Sequence, residues 1–373
     1  MRILTVSHFF STHGGGIEIV AGHLCAEWQA AGEIVVWAAC DADASPDLIC
    51  IEAVPLRSFN FVERVTGLPM PILTLSAIQA LWRSVRASDV MVIHDSLYMT
   101  SVVSMLAARC AHKPTILIQH TAEAAFSNFL LRLVMKCATV LVTKPMLRAA
   151  EHVIFISATT RDFFAHVATK FPPVLTFNGV DGKIFNFSKS APSSRSVFGI
   201  PENITLCTFV GRFVQNKGLE ILHELAKLRP DVHFALAGRG PINPVLWGLS
   251  NVTVCGHLPQ SSLASLYRAA DVFLLPSERE GYPLVIQEAM ACGLPVICGE
   301  ESAKADPGAS PWLTGVPVAL DNPLNSARLI SAAIDGLQMD LDRRAAMAAY
   351  ASDTYGWKKM ADQVLSLQRP KHC

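Results

Sequence analysis

Two glutamates, Glu280 and Glu288, stand eight residues apart in REGYPLVIQEAMACG (279–293), with a Gly-Tyr-Pro turn and an apolar stretch between them. The run VFLLP (272–276) reads as a buried strand and the residues from Leu284 as a helix. Glu280 then lies on a loop at a strand's carboxyl end, and Glu288 lies inside the helix. The amides of Gly281, Tyr282 and Leu284 sit at the positive end of the helix dipole, where an anion is favoured. Pro283 offers no N–H and suits a helix start. Ionised carboxylates accept hydrogen bonds from hydroxyls. A phosphate flanked by two of them describes a nucleotide sugar, whereas unrelated loop and helix charges are the plainer alternative.

Cations for such a phosphate occur in GRFVQNKG (211–218), directly after the strand TLCTFV (205–210). Arg212 and Lys217 are placed to neutralise a diphosphate. The stretch is not a Walker loop, which needs GxxxxGK[ST]. Near the N-terminus, HFFSTHGGGIE (8–18) carries Gly14, Gly15 and Gly16, which let backbone approach a ligand closely. A flexible turn is the alternative, and Ile19 breaks the GxGxxG dinucleotide fingerprint. In ILIQHTAE (116–123), His120 ends a strand, and His94 and Asp95 end the strand before it. Two DxD triplets, Asp41–Asp43 and Asp340–Asp342, read as loop and helix surface rather than metal ligands.

The elements that must hold these residues follow a βαβ rhythm. RILTVS (2–7), IVVWAA (34–39), VMVI (90–93), TILIQ (115–119), VIFIS (153–157) and VLTF (174–177) read as buried parallel strands, with helices over 17–30 and 72–86 between them. After SKSAPSSRS (188–196) the rhythm restarts with TLCTFV, HFALAG (233–238), VTVC (252–255), VFLLP and PVIC (295–298). The 373 residues exceed one hydrophobic core, so two doubly wound α/β domains are expected. The 31 basic and 31 acidic residues balance, which removes bulk charge as an argument for nucleic acid. The ten cysteines show no CxxC pair or zinc spacing and read as free thiols of a reducing compartment. The N-terminus is too short and polar for a signal peptide. A cytoplasmic protein is expected.

GRFVQNKG, LAGRGP (236–241), LPSEREGYPLVIQEAMACGLPVI (275–297) and FNGVD (177–181) resemble the motif series of the family 4 retaining glycosyltransferases. The resemblance covers nearly the whole chain, and its E-x7-E segment is highly specific. It implies the GT-B fold, with two Rossmann-like domains facing across a cleft. Residues 1–180 would form an acceptor-side domain with a C-terminal helix, about 355–373, packing back on it. Residues 181–354 would bind the donor. Glu288 would bind the donor ribose and Glu280 the transferred sugar. Arg212 and Lys217 would hold the diphosphate with the amides of Gly281, Tyr282 and Leu284. Gly15 and Gly16 would reach donor phosphate and acceptor, and His120 would lie near the sugar. Pro283 stands where many members have Gly, and 299–315 fits the family's loop poorly.

The resemblance thus implies a hexosyltransferase, retaining and metal-independent, that needs no cofactor besides its nucleotide-diphosphate sugar. Same-face substitution through an oxocarbenium-like state is the favoured route. The stretch FLLRLVMKCATVLVTKPMLRAAE (129–151) is apolar with Arg132, Lys136, Lys144 and Arg148 and no acid before Glu151. It reads either as a helix in a membrane interface or as a core helix with snorkelling cations. The first reading suggests a glycan or lipid-linked acceptor at the inner face of the cytoplasmic membrane, in polysaccharide biosynthesis. A GT-B sugar-nucleotide epimerase and a non-catalytic nucleotide-sugar binding module are the competing functions.

Overall fold

The computed structural model describes residues 1–42, 50–59, 70–122, 129–188, 195–278, 280–337 and 340–368. The chain divides into two compact units, Met1–Gly179 with Trp357–Cys373, and Val180–Gly356.

In the first unit, β1 (Arg2–Phe9), β2 (Ile34–Cys40), β3 (Ile51–Leu56), β6 (Val90–His94), β7 (Thr115–Gln119), β8 (His152–Phe155) and β9 (Val174–Leu175) form one parallel sheet in the order β3-β2-β1-β6-β7-β8-β9. Every residue of β1 after Arg2 is buried, as are all of β6 and β7. That explains their unbroken apolar pattern, since helices cover both faces of a parallel sheet. β4 (Ser58–Phe59) and β5 (Ile72–Leu73) pair antiparallel beside it. The helix Trp357–Ser366 belongs to this unit. Trp28 Nε1 donates to Ala361 O at 3.1 Å, and His23 stacks on Trp357 with centroids 4.3 Å apart.

The second unit repeats the plan with β10 (Thr205–Val210), β11 (Val232–Ala237), β12 (Val252–Gly256), β13 (Val272–Leu275), β14 (Val296–Gly299) and β15 (Leu313–Val316), in the order β12-β11-β10-β13-β14-β15. In each unit the chain winds one way and then returns to the other side of the first strand. The direction reverses between β1 and β6, and between β10 and β13. At such a switch point the loops leaving two adjacent strands splay apart and open a crevice at the strands' carboxyl ends. Those loops carry His8–Gly16 with His94–Ser96 in the first unit, and Gly211–Gly218 with Pro276–Pro283 in the second.

Several expectations shift. The helix expected over 72–86 begins at Leu75, because Thr74 Oγ1 accepts the Ala77 amide and Ile72–Leu73 is spent on β5. VLTF yields a strand only at Val174–Leu175. The 129–151 stretch is helical over Phe129–Ala138, widens into a π-helical turn at Thr139–Thr143, and resumes over Lys144–Ala149. The helix expected from Leu284 does begin there, with Pro283 at its N-cap (φ −62, ψ 130).

Candidate functional site

Two loops build the site of the second unit. After β10, the 3-10 turn Gln215–Lys217 closes on Gly218 at φ +75. A Cβ there would lie 2.1 Å from Pro276 O, so only glycine lets this loop press against the end of β13. The Glu278 amide also donates to Asn216 O at 3.2 Å. This contact carries Lys217 to Glu280, with Nζ 2.6 Å from Oε2 and both side chains mostly buried. The other oxygen, Glu280 Oε1, is buried and accepts no hydrogen bond among the described residues. Its hydrogen-bonding capacity is therefore unspent.

The turn after Glu280 leads into the helix Leu284–Ala291. Among the described residues, the amides of Gly281, Leu284 and Val285 donate to no main-chain oxygen. The Tyr282 ring does not face outward. It is 2% exposed, and its hydroxyl lies 2.8 Å from that of Tyr355. Glu288, in the second helical turn, accepts the Tyr267 hydroxyl on Oε2 at 3.1 Å. Burial raises the Glu288 carboxyl to about 7, against the lowering effect of the Tyr267 bond. Arg212 is exposed and bonds to no side chain among the described residues. The second unit thus brings Lys217, Glu280 and the turn amides together, with Glu288 one turn deeper and Arg212 free to swing.

Gly15, Gly16 and His120 belong to the first unit. Gly15 caps the helix Gly16–Ala30. A Cβ on Gly15 would lie 2.2 Å from Glu18 Oε2, because that carboxylate folds back beneath the loop. Gly16 faces open space. Glu18 Oε1 lies 2.7 Å from His8 Nε2, with both side chains almost fully buried. Burial alone would raise the Glu18 carboxyl, but the His8 contact holds it below the usual range. His8 stacks on Tyr98 with centroids 3.8 Å apart.

His120 Nε2 lies 3.1 Å from His94 Nδ1. Burial, reinforced by His8, pushes His120 down to about 3, and burial, reinforced by His120, holds His94 well below its usual value. Both shifts favour the neutral imidazole, which can donate or accept a hydrogen bond but carries no positive charge. Asp95, at φ +61, accepts the Ser96 amide and the Gln119 and Thr121 side chains. Asp340 of the second DxD triplet caps the helix Leu341–Thr354 by accepting the Arg343 amide at 2.8 Å. Asp43 of the first triplet lies outside the described residues.

Sequence reasoning gave no role to His8, Glu18 or Tyr267. The signal for Glu18 was present, since it is the third helical residue after a glycine cap, the position from which a glutamate reaches back to the helix start. Tyr267 carried none, because its spacing from Glu288 means nothing until β13 brings their helices together.

The profile described as Glycosyltransferase Family 4 matches residues 14–182, and that of Glycosyl transferases group 1 matches 205–335. A GDP-mannose-dependent alpha-mannosyltransferase of Mycolicibacterium smegmatis is 29% identical over 75% of this chain and 72% of its own. A D-inositol 3-phosphate glycosyltransferase of the same organism is 30% identical over 50% of this chain. The match spans about half the length of that relative, 45%. Among solved structures, sucrose-phosphate synthase of Thermosynechococcus elongatus superposes with a TM-score of 0.72 at 20% identity, over 99% of this chain and 98% of that one. Anabaena HepE in complex with UDP-glucose superposes with a TM-score of 0.72 at 20% identity, over 99% of both chains. The two doubly wound units define an α/β protein of GT-B fold. The chain belongs to the family 4 glycosyltransferases.

Proposed function

We propose that the protein is a retaining hexosyltransferase that moves a sugar from a nucleotide-diphosphate donor to an acceptor hydroxyl. The observation that carries the donor reading is the grouping of Lys217, Glu280 and the open amides of Gly281 and Leu284 at one switch point. The unit Val180–Gly356 takes the donor, and Met1–Gly179 the acceptor. Glu288 accepts the ribose hydroxyls, and Glu280 uses Oε1 for a hydroxyl of the transferred sugar. Lys217, Arg212 and the turn amides hold the diphosphate and stabilise it as it leaves, the role a metal ion plays elsewhere. Substitution then occurs on the face the diphosphate leaves, through an oxocarbenium-like state, with a phosphate oxygen drawing the proton from the acceptor hydroxyl. Gly15, Gly16 and His120 line the path of acceptor and sugar.

The acceptor reading rests on the 129–151 stretch. Leu133, Val134, Val140 and Leu141 are exposed there, beside exposed Arg132, Lys136 and Arg148. Apolar side chains set among cations suit an anionic membrane surface. No helix among the described residues is long and apolar enough to cross a membrane. We read the acceptor as a lipid-linked glycan precursor at the inner face of the cytoplasmic membrane. A screen of nucleotide sugars for hydrolysis, followed by mass analysis of transfer to lipid-linked acceptors, tests this. Release of a rearranged sugar from donor alone would indicate an epimerase. Binding without turnover would indicate a sensing module.

A further inference from the structure

The turn that presents the phosphate-binding amides has few side-chain anchors of its own. Glu280 is held by Lys217, Gly281 has no side chain, and Pro283 makes no hydrogen bond through its ring. Tyr282 is the anchor, and its hydroxyl points into the unit toward Tyr355, the residue that ends the helix Leu341–Thr354. The two rings meet edge to face, with centroids 5.9 Å apart. Tyr355 donates its own proton to Asp306 Oδ2 at 2.6 Å. A hydroxyl has one proton, so with Tyr355 spent on Asp306 the 2.8 Å contact is donated by Tyr282, for which Met290 Sδ at 3.7 Å is the weaker acceptor, and the chain runs Tyr282 to Tyr355 to Asp306.

Asp306 is 2% exposed and forms no ion pair among the described residues. Its carboxylate is satisfied by neutral donors: Tyr355 and Tyr350 on Oδ2, the latter at 2.8 Å, and the Gly308 amide on Oδ1 at 2.9 Å. A buried carboxylate without a counter-ion is costly. As an acceptor-only group it gives something an apolar filler or a hydroxyl does not, a fixed direction for every bond that ends on it. Burial also holds Tyr282 and Tyr355 far above their usual titration range, so the chain keeps its protons at any physiological pH.

We infer that Asp306, acting through Tyr355 and Tyr282, is a positioning residue for the donor-phosphate turn Gly281–Leu284. This gives a role to the 299–315 segment, whose sequence resembles the family's loop poorly. The inference rests on the donor reading proposed above.

The test compares wild type with Tyr355→Phe, Tyr282→Phe and Asp306→Asn in the full chain. Hydrogen exchange of the Ile286–Ala291 amides, the first of which bonds to Pro283 O, is measured without ligand, and UDP and GDP binding by calorimetry. Tyr355→Phe cuts the chain while keeping the ring. It should speed local exchange and weaken the bound diphosphate by about tenfold each, the scale of one buried hydrogen bond. Exchange in Thr205–Val210 should stay at the wild-type rate. Tyr282→Phe should reproduce both effects, which keeps the test decisive if Asp306→Asn fails to fold. Unchanged exchange at 286–291, or an equal rise throughout Val180–Gly356, overturns the inference with the donor reading intact. Wild type that binds no nucleoside diphosphate overturns the donor reading itself, and this inference with it.

Discussion

Lys217 Nζ lies 2.6 Å from Glu280 Oε2, and these two residues come from loops that leave neighbouring strands of one sheet. The pair leaves Glu280 Oε1 without a partner among the described residues. One oxygen of the carboxylate thus holds the Lys217 cation, and the other is the one proposed above for a hydroxyl of the transferred sugar.

Lys217→Ala should lower kcat by about a hundredfold to a thousandfold, the range for removing one preorganised group that stabilises developing charge. It also leaves Glu280 without its cation. Glu280→Gln should lower kcat while largely sparing nucleoside diphosphate affinity, because Glu280 is assigned to the sugar. Steady-state kinetics with calorimetry separates the two. Equal loss of diphosphate affinity in both variants would contradict the division of roles.

Glu288 gives a pH prediction. Its folded carboxyl titrates at about 7, above the ordinary value of 4.5. A group raised on folding contributes stability that is fully present below the unfolded value and lost as pH rises through the folded one. Glu288→Gln should therefore melt higher than wild type at pH 8 and show no such gain at pH 4.5. Nucleoside diphosphate affinity of wild type should rise from pH 6 to pH 8 as the carboxylate ionises, and the variant should lose the part of that rise due to Glu288. Tyr267→Phe removes the bond that lowers this pKa, so its affinity profile should shift to higher pH.

The buried His8–Glu18 pair predicts the opposite slope. Glu18 titrates below its ordinary value, so its stabilising effect is present above the unfolded value and lost as pH falls through the folded one. Glu18→Ala strands His8 and should destabilise the first unit by about 3–5 kcal/mol at neutral pH. Calorimetric melting checks this, and a melting point within a degree of wild type would contradict it.

The parallel strands were legible because burial on both faces leaves an apolar run that nothing else in this chain resembles. β3 and β15 were not. Glu52, Pro55 and Gly315 are tolerated at sheet edges, and they break the apolar run there. The Glu280 loop and the Glu288 helix could be placed from sequence because both follow the end of β13 directly in the chain. Asp306, Tyr355 and Tyr267 could not, because each reaches the site only through tertiary packing. The Tyr282 side chain shows the same limit. The sequence reading used its amide alone, and nothing in the chain showed that its hydroxyl is buried against Tyr355.

Metal independence is tested by chelation. Transfer should persist in excess EDTA, since Lys217, Arg212 and the helix terminus are assigned the charge of the leaving diphosphate. Activity that is lost and then restored by manganese would contradict that assignment.

Membrane contact through 129–151 predicts that the protein sediments with anionic liposomes at low salt. Leu141→Asp and Val140→Asp together should abolish it with little change in melting temperature, because both side chains are exposed. Failure of wild type to bind at low salt would remove the membrane reading.

The most direct test of the donor site is a titration of wild type, Glu288→Ala and Arg212→Ala with nucleoside diphosphates and with inorganic pyrophosphate. Wild type should bind at least one nucleoside diphosphate. Glu288→Ala should weaken that ligand by about ten- to a hundredfold, the range for a hydrogen bond to a charged group, while leaving pyrophosphate unaffected. Arg212→Ala should weaken both. If Glu288→Ala loses pyrophosphate as severely as the nucleotide, or loses neither, then Glu288 does not read the ribose and the proposed donor site is wrong.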